Sequence, residues 1–272
     1  MLTGHSLTLC GVLGYPVAHS RSPAIQNAAF EAAGLDWRYV KLPVEPALFD
    51  ETVRALPGSG YRGANVTIPH KLAALALASE ASPAARAIGA ANTLTFADGR
   101  IMADNTDAGG LVDALERPVD GARALVLGAG GAGRAAAWAL REAGASVAIW
   151  NRTPARAREL AEALGIDHAA APETAGAEVL VNATSVGLDP AAADADALAE
   201  LGLGHAAAPP LVVDLVYRAD GAATPVAAWA RACGAELVDG LEVLVRQGAR
   251  SFTLWTGVEA PLRAMRSAAR DG

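Results

Sequence analysis

Arg123-Ala124-Leu125-Val126-Leu127 has the pattern of a short strand, and Gly128-Ala129-Gly130-Gly131-Ala132-Gly133 follows it without a break. A helical pattern from Arg134 to Ala143 comes next and stops at Gly144. Strand, Gly-x-Gly-x-x-Gly turn and helix, in that order, open a doubly wound nucleotide-binding unit. Gly128 permits the tight turn, Gly130 lets backbone amides approach a pyrophosphate, and Gly133 lets the helix pack close to the strand. The helix N-terminus adds partial positive charge. The competing reading is a flexible glycine loop without a ligand, and the complete strand-turn-helix-strand context argues against it.

The next strand pattern, 146–150, ends where an NAD enzyme of this type places a carboxylate on the ribose 2′-hydroxyl. Here Asn151-Arg152-Thr153 stands instead, with Arg156 one helical turn on. A guanidinium can grip a 2′-phosphate through charge-assisted hydrogen bonds, and Asn151 and Thr153 can donate to it. The unit is therefore expected to bind NADP(H) and to serve hydride transfer. The alternative is that Thr153 caps a helix begun by Pro154 while both arginines stay in solvent.

Working outward, further strands are expected at 178–182, 211–215 and 236–238, with helices between them, which supports a parallel sheet. Upstream, the patterns 7–14, 23–33, 37–44 and 46–56 read as βαβα. Ser22 is expected to cap the first helix, Pro23 to fit its first turn and Gly34 to end it. A strand at 61–66 and a helix at 69–79 follow. Ala97-Asp98-Gly99 then turns a hairpin between 93–96 and 100–103. After Thr106 a helix of three turns ends at Arg117-Pro118. Two helical stretches, 241–256 and 259–269, have no strand after them and are expected to pack back on the first domain. The predicted fold is α/β, an N-terminal α/β substrate domain (1–107 and 241–272) plus a Rossmann-type NADP-binding domain (108–240). The Ala/Asp stretch 189–200 reads as a surface segment.

The chain of 272 residues is long enough for two modest domains, and its apolar fraction is alanine-rich and aromatic-poor. No run of 18 apolar residues occurs, and Met1 to Ser6 lacks the basic region of a secretory signal, so a cytoplasmic, non-membrane protein is expected. A net charge of −7 argues against nucleic-acid or anionic-membrane partners and favours a small-molecule substrate. Cys10 and Cys233 match no metal or redox spacing and are read as buried packing residues. The histidines are scattered: His19 and His70 read as local hydrogen-bonding groups, His5, His168 and His205 have no partners at ligand spacing, and no metal is expected. A homodimer is left open, because in so alanine-rich a chain no exposed apolar face separates from core.

A second dense polar set lies in the first hundred residues: Ser20 and Ser22, Asn65-Val66-Thr67 with Pro69, His70 and Lys71, Asn92-Thr93, and Asp104-Asn105-Thr106-Asp107. Most of these fall at predicted strand ends, and in open α/β sheets ligands bind outside the carboxyl ends of the strands. Singly, Ser22 could be only a cap, Asn92 only a turn residue and Thr67 only part of a helix start.

Together with Gly128 to Gly133, Asn151-Arg152-Thr153, Asn182-Ala183-Thr184-Ser185 with Gly187, and Gln247, these motifs run in order along nearly the whole chain and resemble the shikimate dehydrogenases. The resemblance implies NADP-dependent, reversible reduction of 3-dehydroshikimate to shikimate, in the route through chorismate to aromatic amino acids. It puts Ser20, Ser22 and Tyr217 on the substrate carboxylate and Thr67, Asn92, Asp107 and Gln247 around the ring hydroxyls. Lys71 and Asp107 match the catalytic pair. An ammonium suits that task, since hydride addition to a carbonyl builds negative charge on oxygen that a nearby acid can stabilise and protonate. Leu215 and Gly240 fall at the nicotinamide end. Ala108, Leu215 and Gly240-Leu241-Glu242-Val243-Leu244 depart from the usual pattern and bear on substrate identity more than on reaction class. A quinate or aminoshikimate dehydrogenase would share most of these residues, and a non-catalytic sensor of shikimate-like molecules and nucleotide is the reading from another class.

Overall fold

A computed structural model describes residues 7–189 and 194–271. The readings that fall on Met1 to Ser6, including His5, and on 190–193 of the Ala/Asp stretch lie outside those residues. The chain divides into two units, Met1–Thr106 with Leu244–Gly272, and Asp107–Val243.

The first unit holds a mixed six-stranded sheet in the order β2-β1-β3-β5-β6-β4. Its strands are β1 (Thr8–Gly14), β2 (Trp37–Pro43), β3 (Tyr61–Val66), β4 (Glu80–Ala81), β5 (Thr93–Ala97) and β6 (Arg100–Asp104). β1 runs parallel to β2 and β3, whereas β5 runs antiparallel to both β3 and β6. The register places Leu13 beside Val66, Asn65 opposite Thr93, and Thr93 opposite Asp104. The carboxyl ends of β1, β3 and β6 and the amino end of β5 therefore share one edge, which receives the segments bearing Ser20, Thr67, Asn92 and Asn105.

Alternation along the strands splits the core in two. Cys10 and Val12 face Phe30 of α1 (Ser22–Ala32), Phe252 of α10 (Gly240–Thr256) and Met265 of α11 (Leu262–Asp271). Leu13, Ala64 and Val66 face Phe49 and Val53 of α2 (Phe49–Ala55) and Ala74 of α3 (Lys71–Leu77). Buried polar ties hold the last two helices in this unit: Arg21 Nη1 donates to the Ala269 carbonyl at 2.8 Å, and Gln26 Nε2 to that of Gly248 at 2.9 Å.

Several local expectations change. Ser22 does not cap α1: Arg21 occupies the cap position in a helical conformation, so the helix begins one residue early, and the Ser20 hydroxyl instead accepts the Ser22 N–H at 3.3 Å. α3 begins at Lys71, two residues after the predicted start, because 67–70 close a turn through His70 N to Thr67 O at 2.9 Å. Cys233 is exposed where a buried thiol was expected, since it sits at the C-cap of α9 (Pro225–Ala232), where the chain turns away from the core. Cys10 is buried as expected, and burial pushes its thiol up to about 12. The short α4 (Pro83–Ile88) was not predicted, although Ser82 caps it by accepting the Ala85 N–H at 3.1 Å and Gly89 ends it at φ 73°.

The second unit is a wholly parallel sheet in the order β12-β11-β10-β7-β8-β9. It comprises β7 (Arg123–Leu127), β8 (Ser146–Trp150), β9 (Asp167–His168), β10 (Val179–Asn182), β11 (Leu211–Asp214) and β12 (Glu236–Val238). β10 and β11 are buried at every position, and each reads as three apolar residues before a buried polar one, Asn182 and Asp214. Its helices are α5 (Thr106–Leu115), α6 (Gly131–Glu142), α7 (Pro154–Leu164), α8 (Asp194–Glu200) and α9. From β7 the chain winds outward through β8 and β9, then returns through β10 to the other side. The switch of direction falls at β7 and β10, where doubly wound sheets bind their ligands. Among the described residues no helix is long and apolar enough to cross a membrane.

Candidate functional site

At the switch point the glycines differ in what they do. Gly128 turns the chain at φ 105°, and a Cβ built on it would lie 2.8 Å from the Ala183 carbonyl oxygen. A Cβ on Gly133 would overlap the Gly128 carbonyl oxygen, so α6 reaches β7 only because that atom is missing. Gly130 caps α6 in extended backbone, and a Cβ there would meet nothing within 4 Å. The loop is thus tight at its base and open at its tip, a cradle that fits a pyrophosphate resting on the first-turn amides at Gly131, Ala132 and Gly133. Asn151 ties this loop to the end of β8: its Oδ1 accepts the Ala129 N–H at 3.1 Å and its Nδ2 donates to the Thr153 carbonyl at 3.1 Å. Thr153 occupies the cap position of α7 without a side-chain capping bond. Arg152 and Arg156 are exposed, and Arg152 forms an ion pair with Glu200. The residues present therefore suit NADP(H) at both the pyrophosphate and the 2′-phosphate end.

The far end of this edge is braced by a carboxylate absent from the predicted site. Asp214, the last residue of β11, is buried and accepts hydrogen bonds from Asn182 Nδ2 at 2.9 Å, Val216 N at 3.1 Å and the Thr224 hydroxyl. Burial pushes its carboxyl up to about 6 despite those three donors, and the Asp239 carboxylate adds to the rise. Asn182 also accepts from the Thr184 hydroxyl at 2.7 Å, and its backbone carbonyl takes the Leu215 N–H at 3.0 Å. Leu215 and Gly240 come together, since a Cβ on Gly240 would lie 2.8 Å from the Leu215 carbonyl oxygen. Tyr217 follows in the loop that Asp214 holds, and Asp107 lies in the first turn of α5, where its charge suits the helix dipole.

In the first unit the polar residues form a closed buried network. Asn65 donates through Nδ2 to Thr93 Oγ1 at 3.0 Å, Ser251 Oγ at 2.8 Å and the Asn92 carbonyl at 3.2 Å, while its Oδ1 accepts from the Tyr39 hydroxyl at 2.8 Å. Asn92 Nδ2 donates to Thr106 Oγ1 at 3.0 Å and to Gln247 Oε1 at 3.2 Å, and its Oδ1 accepts the Thr106 N–H at 2.7 Å. Gln247 Nε2 is held by the Leu244 carbonyl at 2.9 Å. Asn92 and Gln247, remote in sequence, are thereby fixed beside each other.

Thr67 joins the same edge through its N–H to the Leu13 carbonyl at 2.8 Å, and it packs where a side chain on Gly14 would overlap its methyl group. Lys71 begins α3, with its carbonyl taking the Ala91 N–H at 2.9 Å. His70 Nε2 bonds the Val44 carbonyl at 2.7 Å and its ring stacks on Phe49 at 4.4 Å, a structural post directly before Lys71. Tyr39 and Ser251 were not foreseen as parts of this network. Ser251 lies one helical turn beyond Gln247 on α10, which is a readable spacing. Tyr39, in a strand otherwise half exposed, carries no such signal.

The chain matches family models described as the shikimate dehydrogenase substrate binding domain over residues 12–94, shikimate / quinate 5-dehydrogenase over 112–188, and the shikimate 5′-dehydrogenase C-terminal domain over 240–270. It is 45% identical to the shikimate dehydrogenase (NADP(+)) of Anaeromyxobacter dehalogenans, covering 100% of this chain and 99% of the relative. Among solved structures it resembles shikimate 5-dehydrogenase of Thermus thermophilus in complex with NADP(H) and shikimate, at 42% identity and a TM-score of 0.87 over 97% of this chain and 99% of that one. It also resembles 5-ketofructose reductase of a Gluconobacter strain, at 29% identity and a TM-score of 0.83 over 98% and 99% of the two chains. With the glycine cradle, the buried network and full-length similarity in agreement, the chain belongs to the shikimate dehydrogenase family.

Proposed function

We propose that this chain is an NADP-dependent oxidoreductase that reversibly reduces 3-dehydroshikimate to shikimate. The observation that carries the reading is the network that fixes Asn92 and Gln247 at the sheet edge bearing Thr67 and Lys71, in a chain similar over its full length to shikimate dehydrogenases. Ser20, Ser22 and Tyr217 hold the carboxylate of the substrate, and Thr67, Asn92, Asp107 and Gln247 hold its ring hydroxyls. Gly128 to Gly133 with Asn151, Arg152, Thr153 and Arg156 hold the NADP(H), which when bound supplies or accepts the hydride. Leu215 and Gly240 border its nicotinamide end. Lys71 stabilises the negative charge that develops on the carbonyl oxygen and donates the proton to it, and in the oxidation direction it takes the hydroxyl proton back. Asp107 is its acid–base partner. On this reading the chain works in the cytoplasm, in the route to aromatic amino acids.

Consumption of NADPH with 3-dehydroshikimate tests the reading, with quinate, aminoshikimate and 5-ketofructose as parallel substrates or products. Turnover is expected to be fastest on the shikimate pair. Preference for another substrate overturns the assignment of substrate, and binding without turnover would favour a sensor. Lys71→Ala should lower kcat by about a thousandfold with little change in KM. Activity within tenfold of the parent would remove Lys71 from the acid's role.

A further inference from the structure

We propose that Glu200 sets cofactor preference by competing with the 2′-phosphate for Arg152. The proposal rests on the reading above that Arg152 receives that phosphate, and it deepens it. Arg152 follows β8 at the position where doubly wound units meet the ribose 2′ substituent. Its Nη1 donates to Glu200 Oε1, so the group that would grip a phosphate is held by a carboxylate from another element.

Glu200 is not a loosely hung surface acid. It is the last residue of α8, and Ala197 before it and Leu201 and Leu203 after it are buried. Gly202 turns the chain at φ 68°, and a Cβ on it would press on Pro172. The carboxylate is thus carried on an anchored helix end. It also sits at the negative end of the helix dipole, and no basic residue lies in the last turn of α8 to offset it. Arg152 supplies the missing positive charge.

A phosphate entering this site would have to share the guanidinium with Glu200 or displace it, at the cost of repulsion between two anions. A cofactor with a plain 2′-hydroxyl meets no such conflict. Glu200 therefore weakens NADPH binding selectively and narrows its advantage over NADH. The pair is largely in solvent, with side chains 79% and 42% exposed, so the competition is modest in size.

Calorimetric titration of NADPH and NADH into the parent, Glu200→Gln, Arg152→Ala and the double variant at low ionic strength tests the idea. Glu200→Gln is expected to tighten NADPH about threefold, the scale of an exposed ion pair, and to leave NADH unchanged. In the Arg152→Ala background the same change should have no effect on NADPH, because the contested group is gone. Unchanged or weaker NADPH binding by Glu200→Gln, an equal gain for NADH, or a threefold gain that persists without Arg152 would each overturn the competition. If Arg152→Ala itself leaves NADPH binding intact, the placement of the phosphate fails, and the inference falls with it.

Discussion

The two units each prepare a site at the carboxyl edge of a sheet, and they do so with different parts of the polypeptide. In the second unit the cradle is made of backbone: its shape depends on Cβ atoms that are missing at Gly128 and Gly133 and on amides that any residue could supply. In the first unit the edge is braced by side chains, from β2, β3, β5 and α10 and from Thr106, each satisfying the next. A backbone site concentrates its demands on a few positions. A side-chain network spreads them, and each member depends on all the others.

The sharpest test of the backbone half compares two glycines of one loop. Gly133→Ala puts a methyl group into the Gly128 carbonyl oxygen, which cannot retreat without parting α6 from β7. A loss of more than about 4 kcal/mol is expected, seen as collapse of the thermal transition or as insoluble protein. Gly130→Ala meets nothing within 4 Å and should leave the melting temperature nearly unchanged while weakening NADPH binding, since the methyl group intrudes where the pyrophosphate approaches. Equal effects of the two changes would break the distinction between the tight base of the loop and its open tip.

In the side-chain half, Asn65→Leu should act next most strongly. It is nearly isosteric, yet it strips the donor from Thr93 and Ser251 and the acceptor from the Tyr39 hydroxyl, all of them buried. Thr93 and Ser251 keep their bonds to Thr106 and to each other, so the cost is that of the lost hydrogen bonds, and a loss of about 2–3 kcal/mol is expected in denaturant unfolding. A loss below about 1 kcal/mol would show that the network members do not depend on one another.

The same contrast explains what could be read in advance. β3, β7, β8 and β12 fall at 61–66, 123–127, 146–150 and 236–238 as expected; in β7 and β8 this is because short apolar runs between polar residues and glycine carry their own boundaries. The cradle was legible for the same reason, its glycines being closely spaced in one short run. α4 carries a signal of the same kind in Ser82, Pro83 and Gly89, a cap, a first-turn proline and a left-handed glycine. β4 and β9 are two residues each, too short for any periodicity, and exist only through pairing with β6 and β8. Asn65 and Ser251 meet across 186 residues, and Tyr39 joins them from a strand with no distinguishing pattern. The sequence shows the charge of Arg152 but not its partner, because Glu200 is 48 residues away and is brought close only by the packing of α8.

Asp214 offers the finest test, since it is a side-chain brace inside the backbone-built unit. Its carboxyl titrates near 6 in the fold against 3.8 when unfolded, chiefly because burial disfavours the charge. The folded state therefore holds the proton more tightly than the unfolded one. The stabilisation linked to that proton is complete below about 3.8 and is lost as pH rises through about 6. Asp214→Asn keeps the size and removes the titration. Relative to that variant, the parent should gain about 2 kcal/mol between pH 7 and pH 4, read from urea unfolding at each pH. A parent-to-variant difference that stays flat over this range would mean that the donors from Asn182, Val216 and Thr224 outweigh burial and keep the carboxylate ionised. Asp214 would then resemble the satisfied network of the first unit, and hydrogen bonding would govern buried polar groups at both edges.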